Sequence, residues 1–360
     1  MRVQEVAQKV MTPCISIAGR NIGPGHPPLI VAELSGNHGG HLERALKLME
    51  AAKAAGADAL KLQTYTADTM TIDLDAPDFQ IKGGLWNGRA LYDLYREAHT
   101  PWEWHESLFE KGKELGLIVF STPFDTTATD FLETLDTPCY KIASFEIVDL
   151  PLIAYVARKG KPMIISTGMA NLSEIQDALN AARKSGCEQI VLLHCVSSYP
   201  APISDANVRT LPHLGETFSC IAGLSDHTQS SAAAVASIAL GGCMVEKHFT
   251  LARADGGPDA AFSLEPEEFK RLVDDCKNAW RALGHISYEV ESSEQGSLVF
   301  RRSIYVVADI KSGEQFNRQN VRIIRPGYGL APKHLPTVLG QRAARDLKRG
   351  ERLDWSDVQF

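Results

Sequence analysis

Residues 220–248, CIAGLSDHTQSSAAAVASIALGGCMVEKH, have the pattern of a strand, a helix and a second strand. The apolar runs Cys220–Ser225 and Cys243–His248 are of strand length, and the alanine-rich segment Ser230–Leu240 between them is typical of a helix. Strands joined by a crossover helix run parallel to each other. This stretch therefore predicts one unit of a parallel sheet covered by helices.

The same unit recurs along the chain between Pro28 and Leu283, where glycines and prolines mark the joins. The predicted strands are Leu29–Glu33, Ala59–Gln63, Leu117–Ser121, Cys139–Ser144, Met163–Thr167, Ile190–Val196, Cys220–Ser225 and Cys243–His248. The predicted helices are His41–Ala55, Trp102–Leu115, Thr126–Leu135, Leu150–Arg158, Ser173–Ser185, Ser204–Leu211, Ser230–Leu240 and Pro266–Leu283. Eight βα units in about 250 residues predict an α/β fold, the closed (β/α)8 TIM barrel.

Two segments depart from this repeat. The insertion Thr66–Pro101 is too long for a simple βα loop, and its aromatic residues need burial, so we expect a lid or a dimer contact. Residues 300–360 carry short strand-like runs separated by turns, which predict a small β-rich module. We therefore expect a barrel domain over residues 1–288, with the insertion at 66–101, a linker over 289–299 and a second domain over 300–360.

The composition limits the classes of function. Lys and Arg number 37 against 44 Asp and Glu, a formal net charge of −7, which does not favour nucleic-acid binding. No stretch approaches the roughly 20 apolar residues of a membrane span, and Met1–Met11 lacks the apolar core of a secretion signal. The seven cysteines include no CxxC pair, so we interpret them as reduced core residues of a cytoplasmic protein.

Polar residues lie at or just after the carboxyl end of every predicted strand. Active sites of TIM barrels lie where strands end and βα loops begin, so these residues form the candidate site. They are Glu33, Lys61, Gln63, Ser121, Thr122, Lys141, Ser144, Ser166, Thr167, Ser197, Tyr199, Ser225, His227, Glu246 and His248. Because side chains alternate along a strand, we expect Asp226 and Lys247 to point to the opposite face of the sheet.

Histidines end the last two predicted strands. His227 and His248 would meet at one edge of the sheet, where two neutral imidazoles can hold a divalent metal ion and leave coordination positions open for a substrate. The alternative interpretation is two unrelated loop histidines. The agreement among all eight strand ends favours a catalytic site.

Earlier strands supply the groups of an anion site that would face the histidines. Lys61 and Lys141 carry positive charge, and neighbouring serines and threonines provide hydrogen-bond donors. A metal ion opposite them could polarise a carbonyl oxygen. This arrangement suggests carbon–carbon bond formation between an enol phosphate and an aldehyde, with Glu33, Glu246 and Asp259 as candidates for proton transfer or sugar binding.

Six ordered motifs resemble those of the sialic acid synthase family. They are AELSGNHGG (32–40), LKLQTYT (60–66), YKIAS (140–144), ISTGM (165–169), GLSDHT (223–228) and VEKHFT (245–250). The tail, with IIRPGYG (323–329), is similar to the antifreeze-like (SAF) module that ends those enzymes. The resemblance implies a cytoplasmic transferase that condenses phosphoenolpyruvate with an acetamido sugar to give a nine-carbon nonulosonic acid.

The resemblance also implies roles for individual residues. His227 and His248 bind a divalent metal ion such as Mn, Mg or Co. Arg325 reaches the sugar in the partner subunit's site, which implies a domain-swapped homodimer with the SAF domain over that site. The implied substrate-binding residues are Lys61, Gln63, Thr122, Lys141, Ser144, Ser166, Ser197, Tyr199, Ser225 and Arg325, and the implied catalytic residues are Glu33, Glu246 and Asp259.

Within the family, IKGGLWNGRALYDLYREAHTPWEWH (81–105) and SSYPAPISD (197–205) resemble pseudaminic acid synthases. N-acetylneuraminate synthases have Asn in the place of Ser197. The resemblance therefore implies a less hydroxylated sugar, the open-chain aldehyde of 2,4-diacetamido-2,4,6-trideoxy-L-altrose. The alternative is an N-acetylneuraminate or legionaminic acid synthase that uses a mannose-configured sugar.

We expect the enol methylene to attack the aldehyde carbon, which leaves positive charge at the former enol carbon for Glu33 to stabilise. Water then adds there, and phosphate leaves by cleavage of the carbon–oxygen bond.

Two other classes of function agree less well with these residues. A metal-dependent hydrolase would use the histidine pair to activate water, but such sites usually have further histidine or carboxylate ligands and no lysines opposite. An ice-binding or carbohydrate-binding tail, with the barrel as scaffold, would leave the polar strand ends unexplained.

Overall fold

The computed structural model describes residues 14–360 of the chain. They divide into two compact units, of which the first ends at Gly284 and the second spans His285–Phe360. The prediction about Met1–Met11 concerns residues outside this range. No helix within the described range is long and apolar enough to cross a membrane.

The first unit contains a closed barrel of eight parallel strands in sequence order, which confirms the predicted TIM barrel. The strands are β3 (Leu29–Glu33), β4 (Ala59–Thr64), β5 (Ile118–Pro123), β6 (Tyr140–Ile142), β7 (Met163–Ser166), β8 (Ile190–Cys195), β9 (Ile221–Asp226) and β10 (Met244–His248). Each lies within two residues of its predicted bounds. Strand β10 pairs with β3, which closes the barrel and sets His248 beside Glu33.

Ten α-helices lie within residues 14–284. They are α1 (Leu42–Ala54), α2 (Ala67–Met70), α3 (Leu91–Ala98), α4 (His105–Leu115), α5 (Thr126–Thr134), α6 (Leu150–Ala157), α7 (Leu172–Lys184), α8 (Thr210–Phe218), α9 (Ala232–Ala239) and α10 (Pro266–Leu283). Helices α2 and α3 lie in the insertion between β4 and α4. Side-chain caps begin several others: Asp125 accepts from the Ala128 amide and Asp149 from the Leu152 amide, caps worth about 1 kcal/mol each.

The prediction of a helix over Ser204–Leu211 is wrong. A short 3-10 helix spans Ile203–Asp205, and Asn207 has a positive φ of 40°, which interrupts any longer helix. Helix α8 begins only at Thr210, so that Pro212 falls in its first turn. The missing amide proton of a proline costs nothing there, since first-turn amides have no partner within the helix.

A hairpin that the sequence did not predict precedes the barrel. Strands β1 (Ile15–Ile17) and β2 (Arg20–Ile22) pair antiparallel around Ala18 and Gly19, which both have positive φ. Ile17 and Ile22 pack with the barrel interior near the starts of the strands. The opposite, carboxyl-terminal end of the strands, called the barrel mouth below, holds the polar residues.

Strand residues alternate between two apolar layers. Leu29 and Val31 pack inside the barrel, whereas Ile30 and Ala32 pack against the helices. Polar residues obey the same alternation: Lys247 Nζ lies 3.0 Å from Asp226 Oδ2, with both side chains almost completely buried. These two residues face away from Glu246 and His248, as the alternation predicts.

The second unit is small and rich in short strands. They are β11 (Ser303–Val306), β12 (Val321–Ile324), β13 (Arg342–Ala343) and β14 (Val358–Gln359), with one short helix, α11 (Leu335–Val338). Its own apolar core includes Ile304, Phe316 and Leu353. A 3-10 helix, Ser292–Phe300, precedes β11.

The buried Asp226–Lys247 pair yields a stability prediction. Asp226→Ala leaves the Lys247 ammonium buried without its counter-charge, so we expect the free energy of unfolding to fall by about 3–5 kcal/mol in urea denaturation. The double variant Asp226→Ala, Lys247→Met should recover part of that loss. Asp274→Ala, in the exposed Lys270–Asp274 pair, is the control and should change little. An Asp226→Ala protein as stable as the parent would contradict this account of the pair.

Candidate active site at the barrel mouth

A buried lysine and two carboxylates lie at the centre of the mouth. Lys61 Nζ is 3.2 Å from Glu33 Oε2 and 3.0 Å from Glu246 Oε1. Gln63 Nε2 donates to Glu33 Oε1 at 3.0 Å, and Ser225 Oγ donates to Glu246 Oε1 at 3.0 Å. Four strands contribute these five side chains, so the closed barrel alone brings them together.

Lys141 is the second buried cation, and its surroundings differ. Its Nζ donates to Ser166 Oγ at 2.7 Å and to the Ile142 carbonyl at 3.1 Å, and within residues 14–360 it makes no salt bridge. Burial lowers the pKa of Lys141 to about 8. Lys141 can therefore bind an added anion without first breaking an ion pair.

Hydroxyl groups surround this lysine. Ser144 Oγ and Ser197 Oγ are 2.8 Å apart, and either one can donate to the other. Thr122 Oγ1 is buried and has no hydrogen-bond partner among the described residues. A buried hydroxyl without a partner is costly, so Thr122 is suited to a ligand that supplies one.

The pKa values of the two carboxylates beside Lys61 are shifted in opposite directions. Burial raises the pKa of Glu33 to about 7 despite the nearby Lys61 charge. Burial also acts to raise the pKa of Glu246, but the charges of Lys141 and Lys61 outweigh it and lower that pKa to about 2. Such a difference separates a group that exchanges protons near neutral pH from a permanent anion. Glu33 is the proton-transfer candidate, and Glu246 is the fixed charge.

The two histidines lie side by side, with ring centroids 5.5 Å apart. Burial lowers the pKa of His227 to about 4 and that of His248 well below its usual value, so both rings are neutral at pH 7. His227 Nδ1 lies 2.8 Å from the Val196 carbonyl, which assigns the ring proton to Nδ1 and leaves Nε2 as an acceptor. His248 Nδ1 is buried without a partner among residues 14–360.

This donor set fits a divalent metal ion in an open site. Neutral imidazoles are the form that ligates metals. Within the described residues no group of three or more His, Cys, Asp or Glu side chains is arranged to hold an ion. The unpartnered nitrogen of His248 beside the neutral His227 ring is what such an ion would use, so these two residues would be its protein ligands, with substrate or water oxygens in the remaining positions.

Aromatic rings form a wall beside the histidines. The Tyr199 ring lies 4.5 Å from His227, and the Phe262 ring lies 4.8 Å from His248, measured between centroids. Trp86, from the insertion, extends the wall at 5.9 Å from Tyr199. Tyr199 was a predicted site residue, whereas Phe262 and Trp86 were not.

Asp259 holds the loop that follows β3 in place. Its Oδ2 accepts hydrogen bonds from the Ser35 hydroxyl and from the Gly36 amide at 3.1 Å, so it anchors the loop that follows β3. Burial raises the pKa of Asp259.

Glu146 and Gly168 also lie at the mouth, and neither was a predicted site residue. Glu146 follows β6, its Oε2 is buried without a partner within residues 14–360, and burial raises its pKa to about 7. Its position two residues after Ser144 was the available signal. Gly168 has a φ of 48°, and a Cβ there would meet the Ser144 Cβ at 2.4 Å, so only glycine fits between these loops.

Arg325 belongs to the second unit. Its guanidinium carbon lies 6.0 Å from the centroid of the Phe300 ring, which is largely exposed. Its predicted role in a partner subunit's site stays a prediction.

Comparison with known proteins shows the family. The NeuB family model matches residues 48–288, and the SAF domain model matches residues 301–359. The chain is 43% identical to the pseudaminic acid synthase of Campylobacter jejuni, over 92% of this chain and 96% of that protein. The pseudaminic acid synthase of Helicobacter pylori is 44% identical, over 92% of this chain and 98% of that protein.

A solved structure agrees with these relatives. The N-acetylneuraminic acid (sialic acid) synthetase from Leptospira borgpetersenii matches with a TM-score of 0.71 at 30% identity, over 80% of this chain and 95% of that one. The chain therefore belongs to the NeuB family and carries a carboxyl-terminal SAF domain.

Proposed function

We propose that the protein is a pseudaminic acid synthase. It would condense phosphoenolpyruvate with the open-chain aldehyde of 2,4-diacetamido-2,4,6-trideoxy-L-altrose and water to give pseudaminic acid and phosphate. The observation that carries this proposal is that one buried mouth holds two neutral histidines and Lys141, which makes no salt bridge with any of the described residues. The relatives that bear this name support it, since they match nearly the whole chain.

Phosphoenolpyruvate, an anion with a phosphate and a carboxylate, would bind at Lys141. The ammonium of Lys141 and the hydroxyls of Ser166, Thr122 and Ser144 offer charge and hydrogen bonds at the ends of three neighbouring strands. Lys61 is held between Glu33 and Glu246, so its charge would lie beside the reacting carbons within a fixed group of three charged side chains. Ser225 donates its one hydroxyl proton to Glu246, so it would bind the anion only by exchanging that hydrogen bond.

His227 and His248 would hold a divalent metal ion, with Mn, Mg and Co as candidates. The chemistry that such an ion supplies is polarisation of the sugar's carbonyl oxygen, which makes the aldehyde carbon electrophilic.

The bond changes follow from the two substrates. The phosphoenolpyruvate methylene carbon forms a bond to the aldehyde carbon, and positive charge develops at the former enol carbon, where the Glu33 carboxylate stabilises it. Water adds to that carbon, and the carbon–oxygen bond to phosphate breaks. One proton of the water ends on the new hydroxyl and the other leaves with phosphate. With a pKa of about 7, Glu33 can accept and release the transferred proton.

A matched assay tests the proposal. With Mn and phosphoenolpyruvate labelled with ¹⁸O in the bridging position, we expect the L-altro diacetamido sugar to give one phosphate per product, with the label in phosphate. N-acetylmannosamine and the 6-deoxy-diacetamido mannose-configured sugar should react with lower kcat/KM. A preference for N-acetylmannosamine would replace the proposal with N-acetylneuraminate synthesis.

The same assay separates a synthase from a hydrolase. Phosphate release that needs both substrates and stops with chelator supports condensation, whereas release from phosphoenolpyruvate alone indicates hydrolysis. Label retained in the organic product would refute carbon–oxygen cleavage.

His248→Ala tests the metal site. We expect turnover to fall by about 10³-fold or more, because one imidazole cannot hold the ion in position, and we expect Mn binding measured by calorimetry to be lost. Circular dichroism checks the fold, and His213→Ala, an exposed histidine on α8, is the matched control. Retained Mn binding in His248→Ala would remove His248 from the metal site.

We also propose that the protein acts as a homodimer in which Arg325 binds the sugar in the partner subunit's site. Support comes from the family resemblance of the tail motif and from the SAF domain match over residues 301–359. A guanidinium can donate hydrogen bonds to an acetamido carbonyl, which is the group that Arg325 would recognise.

Mixed dimers test this role. Arg325→Ala should raise the KM for the sugar about tenfold, because one charged hydrogen bond to the sugar is lost. The KM for phosphoenolpyruvate should stay unchanged. When Arg325→Ala and His248→Ala chains are co-expressed, a hybrid dimer has one intact site only if Arg325 acts across the interface. At sugar concentrations well below the parent KM, activity above that of either variant is the expected result; no recovery there would mean that Arg325 acts within its own chain or not at all.

A further inference from the structure

The insertion carries a small hairpin loop, Gln80–Ala90, with Trp86 at its tip. Gln80 and Ala90 form a β-bridge, the Ile81 amide donates to the Arg89 carbonyl at 2.9 Å, and the Gly88 amide donates to the Ile81 carbonyl at 2.8 Å. These bonds give the tip a defined conformation.

Trp86 is the tip residue that turns inward. It is half-buried, whereas its neighbours Leu85 and Asn87 are exposed. Its ring centroid lies 6.3 Å from that of Phe262, edge to face, and 5.9 Å from that of Tyr199. The indole Nε1 donates to the Pro258 carbonyl at 2.9 Å. The indole is therefore fixed by packing and by a hydrogen bond.

The wall that Trp86 completes begins at His227 and His248. Tyr199 contacts His227 and Phe262 contacts His248, so the aromatic rings run from the loop to the place where the sugar's carbonyl would react. A sugar whose aldehyde lies at the histidines would have this wall beside its carbon chain. Trp86 and Phe262 offer that chain no free hydrogen-bonding group, because the indole proton is already donated to Pro258.

We propose that Trp86 is a specificity-determining residue that packs against the apolar end of the sugar and selects a 6-deoxy substrate over its 6-hydroxy counterpart. This inference rests on the proposed synthase function and assigns a role within it. A methyl group gains from burial against the indole, whereas a hydroxyl in the same place would lose its water without gaining a partner. The insertion thus acts on the choice of sugar rather than on phosphoenolpyruvate.

Three variants test the proposal: Trp86→Ala, Trp86→Phe and the control Leu85→Ala on the same loop. The measured quantity is the ratio of kcat/KM for the 6-deoxy sugar to that for its 6-hydroxy analogue. We expect Trp86→Ala to lower that ratio about tenfold or more, mainly through the KM of the 6-deoxy sugar, with the KM for phosphoenolpyruvate unchanged. Trp86→Phe should keep an intermediate ratio, and Leu85→Ala should match the parent.

Binding of the reduced, unreactive alditol of the 6-deoxy sugar gives a second readout by calorimetry. Trp86→Ala should weaken this binding to a similar degree. If the parent discriminates between the sugars and Trp86→Ala discriminates equally well, the inference is wrong while the proposed function stands. If the parent condenses neither diacetamido sugar, the proposed function itself fails. An equal loss with both sugars would show a role in folding or loop closure and would also overturn the inference.

Discussion

The pairing of the last barrel strand with the first is the constraint on which the site depends. Strand β10 lies against β3 in a register that sets His248 opposite Glu33, and β3 in turn sets Glu33 opposite Lys61. These residues are far apart in the chain and meet only because the sheet closes. A slip of one residue would turn Lys247 into the mouth and Glu246 toward the helices, since side chains alternate along a strand.

Burial gives the mouth its chemistry. The ion pairs of Lys61 repay part of the cost of placing Glu33 and Glu246 in a low-dielectric interior. The pKa values of the two carboxylates differ because Glu246 also lies in the field of the Lys141 charge. Glu246 therefore stays ionised, whereas Glu33 binds a proton near neutral pH. Burial keeps both histidines neutral. One physical cause thus gives the mouth a carboxylate that exchanges protons near neutral pH and two neutral imidazoles, which are groups that the proposed reaction would use.

The departures from the sequence predictions have specific causes. Helix α8 begins at Thr210 because the chain turns at Asn207 and because Pro212 suits a first turn. The hairpin β1–β2 consists of two three-residue strands, too short for a reliable pattern, and is held by packing of Ile17 and Ile22 on the barrel interior. Trp86 lies in an insertion without strand or helix periodicity, so only its contacts with Tyr199 and Phe262 reveal its place.

The sequence by itself determined the barrel and its polar mouth, because strand and helix periods are local and the ends of parallel strands necessarily share one edge. It also carried the motifs that identify the NeuB family. Only the tertiary structure decided which charges are paired: Lys61 lies between two carboxylates, whereas Lys141 contacts a serine and a carbonyl. Pairing and desolvation depend on distances between strands, and the order of residues along a strand does not contain those distances.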